Sequence, residues 1–241
     1  MSSSSDSHAL HGRRFPVLDK GYVILLEHLG SDARVVDAAR VSTGTKTGVD
    51  AERDRNLIFF LMENKHGTPF EHVVFQFAIK CPLFVARQWM RHRIASYNER
   101  SARYRVFEEE FYVPRPADIP PIFDEADLKE YEALLKHEHD VYQRLVQKAQ
   151  PFKEHRQRAR EVFRALLGTA YYTEFYWTVN FRSLMNFMEL RTGAGAQWEI
   201  RQYADAIAGI AKQTAPLCYE AYERYVLKKP AAGDLERGLR Q

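Results

Sequence analysis

Two segments of the chain alternate between apolar and polar residues, as half-buried strands do. In EHVVFQFAIK, every second side chain from residue 73 to residue 79 is apolar. In AYYTEFYWTVNF, the odd-numbered positions from 171 to 181 would line one face with mostly aromatic side chains. A third apolar run, YVILLEHL after Gly21, is consistent with a strand or with a short helix.

Helical spacing accounts for much of the remaining chain. Ser31-Asp32 and Asp50 suit N-cap positions, and they start helices to residue 39 and to about residue 64. Asp124 or Asp127 starts a long helix, and helical spacing returns over about 154–167, over RSLMNFMELR and from residue 197 to residue 217. The pattern supports a mixture of helices and strands, but it does not give the order of the strands.

The two ends of the chain show neither pattern. Residues 1–16 are rich in serine and then basic, and we expect them to form a disordered N-terminal extension. Residues 228–241 read as a charged C-terminal tail. No repeat and no clear linker divides the chain between them, so residues 17–227 are predicted to form one domain.

Composition restricts the class of protein further. The formal net charge of +3 over 241 residues is too small to indicate bulk binding to nucleic acid, so any basic site must be local. Cys81 and Cys218 imply no disulfide framework and suit a reducing cytoplasm, and Cys81 is predicted to be a core residue rather than a nucleophile. No segment has the length of a membrane span or the composition of a signal peptide, so we expect a cytoplasmic protein without a membrane partner.

The densest chemistry lies in the segment WMRHRIASYNERSAR, which begins at Trp89. Six arginines and no lysine occur from Arg87 to Arg105. Arginine binds phosphate or carboxylate through a planar fork of donors, and the aromatic side chains between these arginines can stack on a heterocycle. The segment therefore suggests a site for an anionic, ring-bearing ligand such as a nucleotide. The alternatives are a solvated basic face, or arginines tied into surface ion pairs with Glu99 and the acidic residues 108–110.

The order of residues in this segment resembles a known signature. Arg91-His92-Arg93, seven residues and then Ser101 match the signature of the flavin-dependent thymidylate synthases. HGTPFEH and FYWTVNFRSLMNFMELR followed by AQWEIRQYA resemble further blocks of that family. The resemblance covers about residues 18–225. It implies an α+β fold, a single domain with a central antiparallel or mixed sheet flanked by long helices.

The resemblance also implies an activity: reductive methylation of dUMP to dTMP, without a cysteine nucleophile. Methylenetetrahydrofolate would give the carbon, NADPH the reducing equivalents and FAD the hydride. FAD would lie between the subunits of a homotetramer. Arg191 corresponds to the arginine that activates the pyrimidine, and is the predicted catalytic residue.

The resemblance assigns two sets of binding residues. The FAD-contacting residues that it implies are His66, Thr68, Arg91, His92, Arg93, Glu99, Asn180, Phe181, Arg182 and Asn186. The dUMP-binding residues that it implies are Gln88, Trp89, Met90, Arg91, Glu99, Arg100, Ser101, Ala102, Arg103, Arg164 and Arg191. Ser101 is expected to bind the ligand rather than to act as a nucleophile, because no histidine stands at an obvious base spacing from it.

Other interpretations stay open on the sequence. A nucleic-acid-binding module could use Trp89, Tyr97 and Tyr104 as stacking groups, although the low net charge and the acidic residues 108–110 argue against it. A flavoprotein of another class, such as a reductase or a tRNA methylase, is a second alternative. A third is a family member that has lost activity, because Gly168, Glu174 and Ala194-Gly195 depart from the family pattern.

Overall fold

Five strands form one antiparallel sheet in the computed structural model, which describes residues 9–41, 44, 50–101 and 108–227. The strands are β1 (Arg14–Val17), β2 (Gly21–Leu29), β3 (Val74–Pro82), β4 (Ser96–Glu99) and β5 (Tyr172–Asn180). Their order across the sheet is β1-β2-β3-β5-β4, and each neighbouring pair is antiparallel. The two segments predicted as strands, β3 and β5, are confirmed, and the apolar run after Gly21, which the sequence left open between a strand and a short helix, forms β2.

Eight α-helices surround this sheet in the described part of the chain. They are α1 (Asp32–Arg40), α2 (Ala51–Glu63), α3 (Leu83–Trp89), α4 (Glu125–Lys148), α5 (Arg156–Phe163), α6 (Phe181–Thr192), α7 (Trp198–Thr214) and α8 (Pro216–Tyr222). The predicted α+β class is confirmed. No helix among these described residues is long and apolar enough to span a bilayer.

The helix starts follow the predicted capping chemistry in two cases and differ in a third. The carboxylate of Asp50 accepts from the first turn of α2, and Asp124 forms a capping box with Asp127 at the start of α4. Asp32 instead accepts from the backbone N–H groups of Leu217 and Cys218, at 3.0 and 2.9 Å. It therefore ties α1 to the start of α8.

The predicted last helix is divided in two. The expected helix runs to residue 217, whereas α7 ends at Thr214 and α8 begins at Pro216. Proline has no N–H to donate, so it is tolerated in the first turn of a helix and disrupts a helix interior. Ala215 between the two helices has non-helical angles, φ −138° and ψ 71°.

The main core lies between the inner face of the sheet and the helices packed on it. It contains the alternating side chains Val73, Phe75, Phe77 and Ile79, as predicted, together with Phe175, Trp177 and the buried faces of α6 and α7. A second, smaller cluster lies beneath α4 and contains Phe111, Leu135, Tyr142, Val146 and Tyr171.

The expected disordered extension of residues 1–16 is wrong in its second half. Residues 14–17 form β1, and Leu10 is only 3% exposed in the main core. Composition is misleading here because one apolar side chain and backbone pairing with β2 are enough to order a polar, basic segment. The predicted tail at 228–241 lies outside the described residues.

Gly21, at the start of β2, is required by a close approach of α7. A Cβ atom at this position would stand 1.9 Å from the Tyr203 hydroxyl, which donates to the Lys80 carbonyl at 2.8 Å. We expect Gly21→Ala to lower the free energy of unfolding by about 1–3 kcal/mol, as overpacking does in cores. Chemical denaturation measures this change.

Gly209→Ala is the matched control for that substitution. Gly209 lies within α7, and a Cβ atom there meets nothing within 4 Å. Alanine is the better helix former, so this variant should gain up to about 1 kcal/mol of stability. Equal effects of the two substitutions would contradict the close approach at Gly21.

Candidate active site

Trp89 fixes the place at which the arginine-rich segment leaves the core. Its indole is fully buried, 4.8 Å from the Phe187 ring and 5.2 Å from the Trp177 ring, centroid to centroid. Helix α3 ends at this residue, and the following residues turn back toward β4. The Tyr97 hydroxyl donates to the His92 carbonyl at 2.7 Å and so holds that turn.

The turn forms one wall of a cleft of about 540 Å³. We call it the signature cleft. Its lining residues are Glu71, Arg91, His92, Arg93, Ile94, Val179, Arg182, Ser183, Asn186, Leu190 and Arg191. One wall is the turn at Arg91-His92-Arg93, which we call the RHR turn, and the opposite wall is α6. The Asn180 side chain caps the first turn of α6. The cleft combines guanidinium groups with apolar side chains, which suits a ligand that carries both phosphate and an aromatic ring.

Arg191 is held in this cleft by two neutral acceptors. Its Nε donates to Nε2 of His92 at 3.0 Å, and its Nη2 donates to the Gln88 carbonyl at 3.3 Å. No carboxylate pairs with it among the described residues. Partial burial lowers the pKa of its guanidinium. The positive charge of Arg191 is thus oriented but not neutralised.

His92 is neutral because of where it lies. Burial, and then the positive charge of Arg191, lower the pKa of the imidazole to about 4. Its ring also lies edge-on to Phe187, with centroids 5.0 Å apart. The imidazole therefore stays uncharged across the physiological pH range.

A second cleft, of about 610 Å³, lies on another part of the chain. We call it the serine cleft. Its lining residues are Leu83, Glu99, Arg100, Ser101, Glu161, Arg164, Ala165, Leu167 and Thr173. The Glu99 carboxylate accepts from the Thr173 hydroxyl at 2.7 Å, which fixes it against β5. The two clefts share no lining residue.

The arginines of the two clefts differ in their partners. Arg100 stands between two carboxylates, with N–O distances of 3.7 Å to Glu108 and 3.6 Å to Glu174. Arg91, Arg93 and Arg164 form no side-chain ion pair within the described ranges. Among these four described arginines, the alternative of ion pairing therefore holds for Arg100. The other three guanidinium groups are available to an anion.

The structure divides the predicted dUMP-binding residues between the clefts. Arg91 and Arg191 lie in the signature cleft with half of the predicted FAD set, whereas Glu99, which belongs to both sets, lies with Arg100, Ser101 and Arg164 in the serine cleft. Gln88 hydrogen bonds to Gln197 outside both linings, and Met90 is half-buried against the main core. Ala102 and Arg103 lie outside the described residues, as does Tyr104.

Two of the predicted binding residues have side chains that cannot reach a ligand. Trp89 and Phe181 are fully buried in the main core, so any contact of these residues with dUMP or FAD would come from the backbone. Their positions within the motifs reflect packing, because an aromatic ring at either place holds α3 or α6 to the sheet. The buried indole of Trp89 is likewise unavailable for stacking on bases, which removes support from the nucleic-acid alternative.

Several cleft residues had not been singled out from the sequence. Glu71 lies in the HGTPFEH motif and pairs with Arg182 at 2.5 Å, so the motif itself signals it. Ile94, Val179, Ser183 and Leu190 lie in the family-like blocks but carry no distinctive chemistry.

Of the remaining predicted FAD residues, His66 lies in a small adjoining pocket that shares Arg182 and Asn186, whereas Thr68 and Asn180 line none of these cavities.

The cysteines and the metal-binding side chains offer no competing chemistry. Cys81 and Cys218 are fully buried, and burial raises the pKa of both thiols well above the ordinary value. Cys81 is thus a core residue, as predicted, and neither thiol can reach a substrate. Among the described residues, no group of three or more histidine, cysteine, aspartate or glutamate side chains could hold a metal ion.

Comparison with known proteins agrees with the motifs. The family model described as thymidylate synthase complementing protein matches residues 24–217. The chain belongs to this family. The flavin-dependent thymidylate synthase of Pseudothermotoga lettingae is 46% identical over 231 residues, covering 92% of this chain and 97% of the relative. A flavin-dependent thymidylate synthase of Thermus thermophilus is 43% identical over 223 residues, covering 88% and 79%.

A solved structure in the same fold agrees with the arrangement of helices and strands. The UMP/dUMP methylase PolB from Streptomyces cacaoi, bound with 5-Br dUMP, matches with a TM-score of 0.76 and 30% identity. The match covers 88% of this chain and 98% of that chain. The predicted fold, an antiparallel sheet flanked by helices as in this family, is confirmed.

The low pKa of His92 predicts how stability depends on pH. In the unfolded chain His92 takes up a proton near pH 6.5, and in the folded chain only near pH 4. The unfolded state therefore binds more protons in that window, and the free energy of unfolding should fall as the pH drops from about 6.5 to 4, by roughly 1–2 kcal/mol after allowance for partial exposure.

Denaturation of the wild type and of His92→Gln across this pH range isolates the effect. Other titrating groups contribute equally to both proteins, so the difference between the two curves reports His92. The difference should change between pH 6.5 and 4. Parallel curves would show that the imidazole titrates normally in the folded protein.

Proposed function

We propose that the protein converts dUMP to dTMP by flavin-dependent reductive methylation. The single observation that carries this proposal is Arg191, a partly buried guanidinium that is held by neutral acceptors and left charged in a ligand-sized cleft. The names of its relatives and the 5-Br dUMP bound to PolB support the same reaction.

The signature cleft fits FAD through the chemistry of its donors. Arg91 and Arg93 are free of carboxylate partners in the described chain and suit a pyrophosphate, which guanidinium groups bind in a bidentate manner. Asn186 and Arg182 offer donors to a heterocycle, and Ile94 adds apolar surface. These residues would hold FAD, which when reduced supplies the hydride that protein side chains cannot.

The serine cleft fits the phosphate of dUMP. Arg164 is free of ion pairs within the described residues and stands with Arg100 and Ser101 in one lining. A guanidinium and a hydroxyl together bind a phosphate by charge and by hydrogen bonds. We assign Arg164 and Ser101, with Arg103, to the phosphate, and Arg191 to the base.

Arg191 would activate the base electrostatically. Carbon 5 of uracil becomes nucleophilic only when electron density moves into the ring, and negative charge then builds up on the pyrimidine oxygens. A preformed guanidinium donor stabilises that charge, as donors in an oxyanion hole do. The alternative route, addition of a cysteine thiolate at carbon 6, is not open to two buried thiols of raised pKa.

The remaining reactants are assigned by the same proposal. Methylenetetrahydrofolate supplies the carbon and NADPH the reducing equivalents. The free, buried thiols suit the reducing cytoplasm, which is where we place the protein.

We further propose that one active site is built from two chains of a homotetramer. The resemblance assigns Arg191 and Arg164 to a single ligand, yet the two residues line separate clefts of one chain. Symmetric association could bring the signature cleft of one subunit against the serine cleft of another. FAD would then lie at a subunit interface.

Anaerobic reduction tests the proposed reaction. The protein should bind FAD and turn yellow, and NADPH should bleach it. Addition of dUMP and methylenetetrahydrofolate should then reoxidise the flavin and form dTMP. A colourless protein that takes up no FAD would contradict both the cofactor and the reaction.

Substitution of Arg191 tests its proposed role. Arg191→Ala should lower the single-turnover rate of dTMP formation by roughly 10²–10³-fold, as loss of an oxyanion-hole donor does. Arg87→Ala, in the same arginine run but outside both cleft linings, is the matched control and should retain the wild-type rate. A near-normal rate for Arg191→Ala would remove the catalytic assignment.

Mixing two inactive variants tests the shared site. Arg191→Ala damages the signature cleft and Arg164→Ala the serine cleft. In mixed tetramers about a quarter of the shared sites would combine the intact signature cleft of an Arg164→Ala chain with the intact serine cleft of an Arg191→Ala chain. We expect activity to return after the two proteins are unfolded and refolded together. Persistent inactivity of tetramers shown to be mixed would place the whole site within one chain.

A further inference from the structure

We propose that His92 is a positioning residue for Arg191, acting as a neutral hydrogen-bond acceptor through Nε2. The resemblance assigns His92 only to the FAD-binding set. This inference rests on the proposed function of Arg191, and it concerns how the chain holds that side chain before any ligand binds.

The tautomer of His92 follows from its partner. Nε of Arg191, 3.0 Å from Nε2, always carries a proton and can only donate. Nε2 must therefore offer a lone pair, and the proton of the neutral ring stands on Nδ1. A doubly protonated imidazole would have no acceptor and would repel the guanidinium.

The other side of the ring faces the side-chain amide of Asn186. Nδ2 of Asn186 lies 3.5 Å from Nδ1 of His92. Two donors cannot bond to each other, and the oxygen and nitrogen of an amide exchange places by a half turn of the side-chain amide. The tautomer therefore predicts that the Asn186 oxygen faces Nδ1. Arg191, His92 and Asn186 then form a directed chain of hydrogen bonds from α6 to the RHR turn and back to α6.

Two hydrogen bonds fix the backbone of His92. Its N–H donates to the Trp89 carbonyl at 3.0 Å, and its carbonyl accepts from the Tyr97 hydroxyl. The backbone that carries the imidazole is thus hydrogen-bonded to that of Trp89, whose indole is buried. An acceptor on so rigid a support can orient a long arginine side chain, whose many rotamers would otherwise have to be restricted when the ligand binds.

Neutral acceptors also leave Arg191 its donors and its charge. The bonds to His92 and to the Gln88 carbonyl use the Nε proton and one Nη2 proton. Both Nη1 protons and the second Nη2 proton remain for a ligand. A carboxylate in the place of His92 would orient the guanidinium equally well, but would cancel the charge that the pyrimidine needs.

Nitrogen-15 spectra of ligand-free protein with labelled histidine rings give a test that does not depend on activity. His92→Gln identifies the His92 signals among those of the nine histidines. We expect Nε2 to be unprotonated and Nδ1 protonated from neutral pH down to about pH 4. Arg191→Ala should raise the pH at which the ring titrates. A proton on Nε2 at neutral pH would overturn the proposal.

Two conservative variants distinguish the roles of the two ring nitrogens of His92 in turnover assays at saturating FAD. The side-chain amide of glutamine reaches the place of Nε2, whereas that of asparagine reaches the place of Nδ1. We expect His92→Gln to keep the single-turnover rate within about threefold, and His92→Asn to lower it about tenfold or more with little change in KM for dUMP. His137→Gln, on the exposed face of α4, is the control substitution.

A double-mutant cycle decides whether His92 acts through Arg191. In the Arg191→Ala background, His92→Asn should cause no further loss of rate, because the group that it positions is gone. Additive losses, or equal losses for His92→Gln and His92→Asn, would overturn the positioning role. A wild-type protein that forms no dTMP would instead refute the proposed function, while the ring-nitrogen spectra would still decide the tautomer.

Discussion

The burial of Trp89 is the constraint on which the rest of the site depends. Its indole packs against Trp177 of β5, Phe187 of α6 and Tyr203 of α7, so three elements meet at one side chain. A buried aromatic ring of this size contributes about 3–5 kcal/mol. Because α3 ends at Trp89, the RHR turn leaves the core at a fixed point and in a fixed direction, facing the end of α6 that carries Arg191.

The charges of the site follow a simple physical rule. A guanidinium that is meant for a ligand must be oriented without being neutralised. Arg191 meets this requirement with a neutral imidazole and a backbone carbonyl, while Arg91, Arg93 and Arg164 are left without ion pairs in the described chain. In the described chain, the signature cleft therefore holds three arginines without a carboxylate partner, whereas the separate serine cleft holds Arg164 beside Glu99 and Glu161.

Much of this arrangement could be predicted from the sequence, and the exceptions have physical causes. Strict alternation revealed β3 and β5, but β1 and β4 are four-residue strands, too short for a period to be recognised. The motifs identified Arg91, Arg93 and Arg191. They could not show that Trp89 faces the core, that His92 turns one nitrogen to Arg191, or that the clefts are separate, because these features depend on contacts between residues about 90 or more apart in sequence.

The most direct test of the account is an experimental structure of the assembled protein with FAD and 5-Br dUMP. The account predicts that the pyrimidine contacts Arg191 of one subunit while the phosphate contacts Arg164 of the partner subunit. It also predicts that Nε2 of His92 still accepts from Arg191 in the complex. A nucleotide bound wholly within one cleft, or an Arg191 side chain turned away from His92 and from the base, would contradict it.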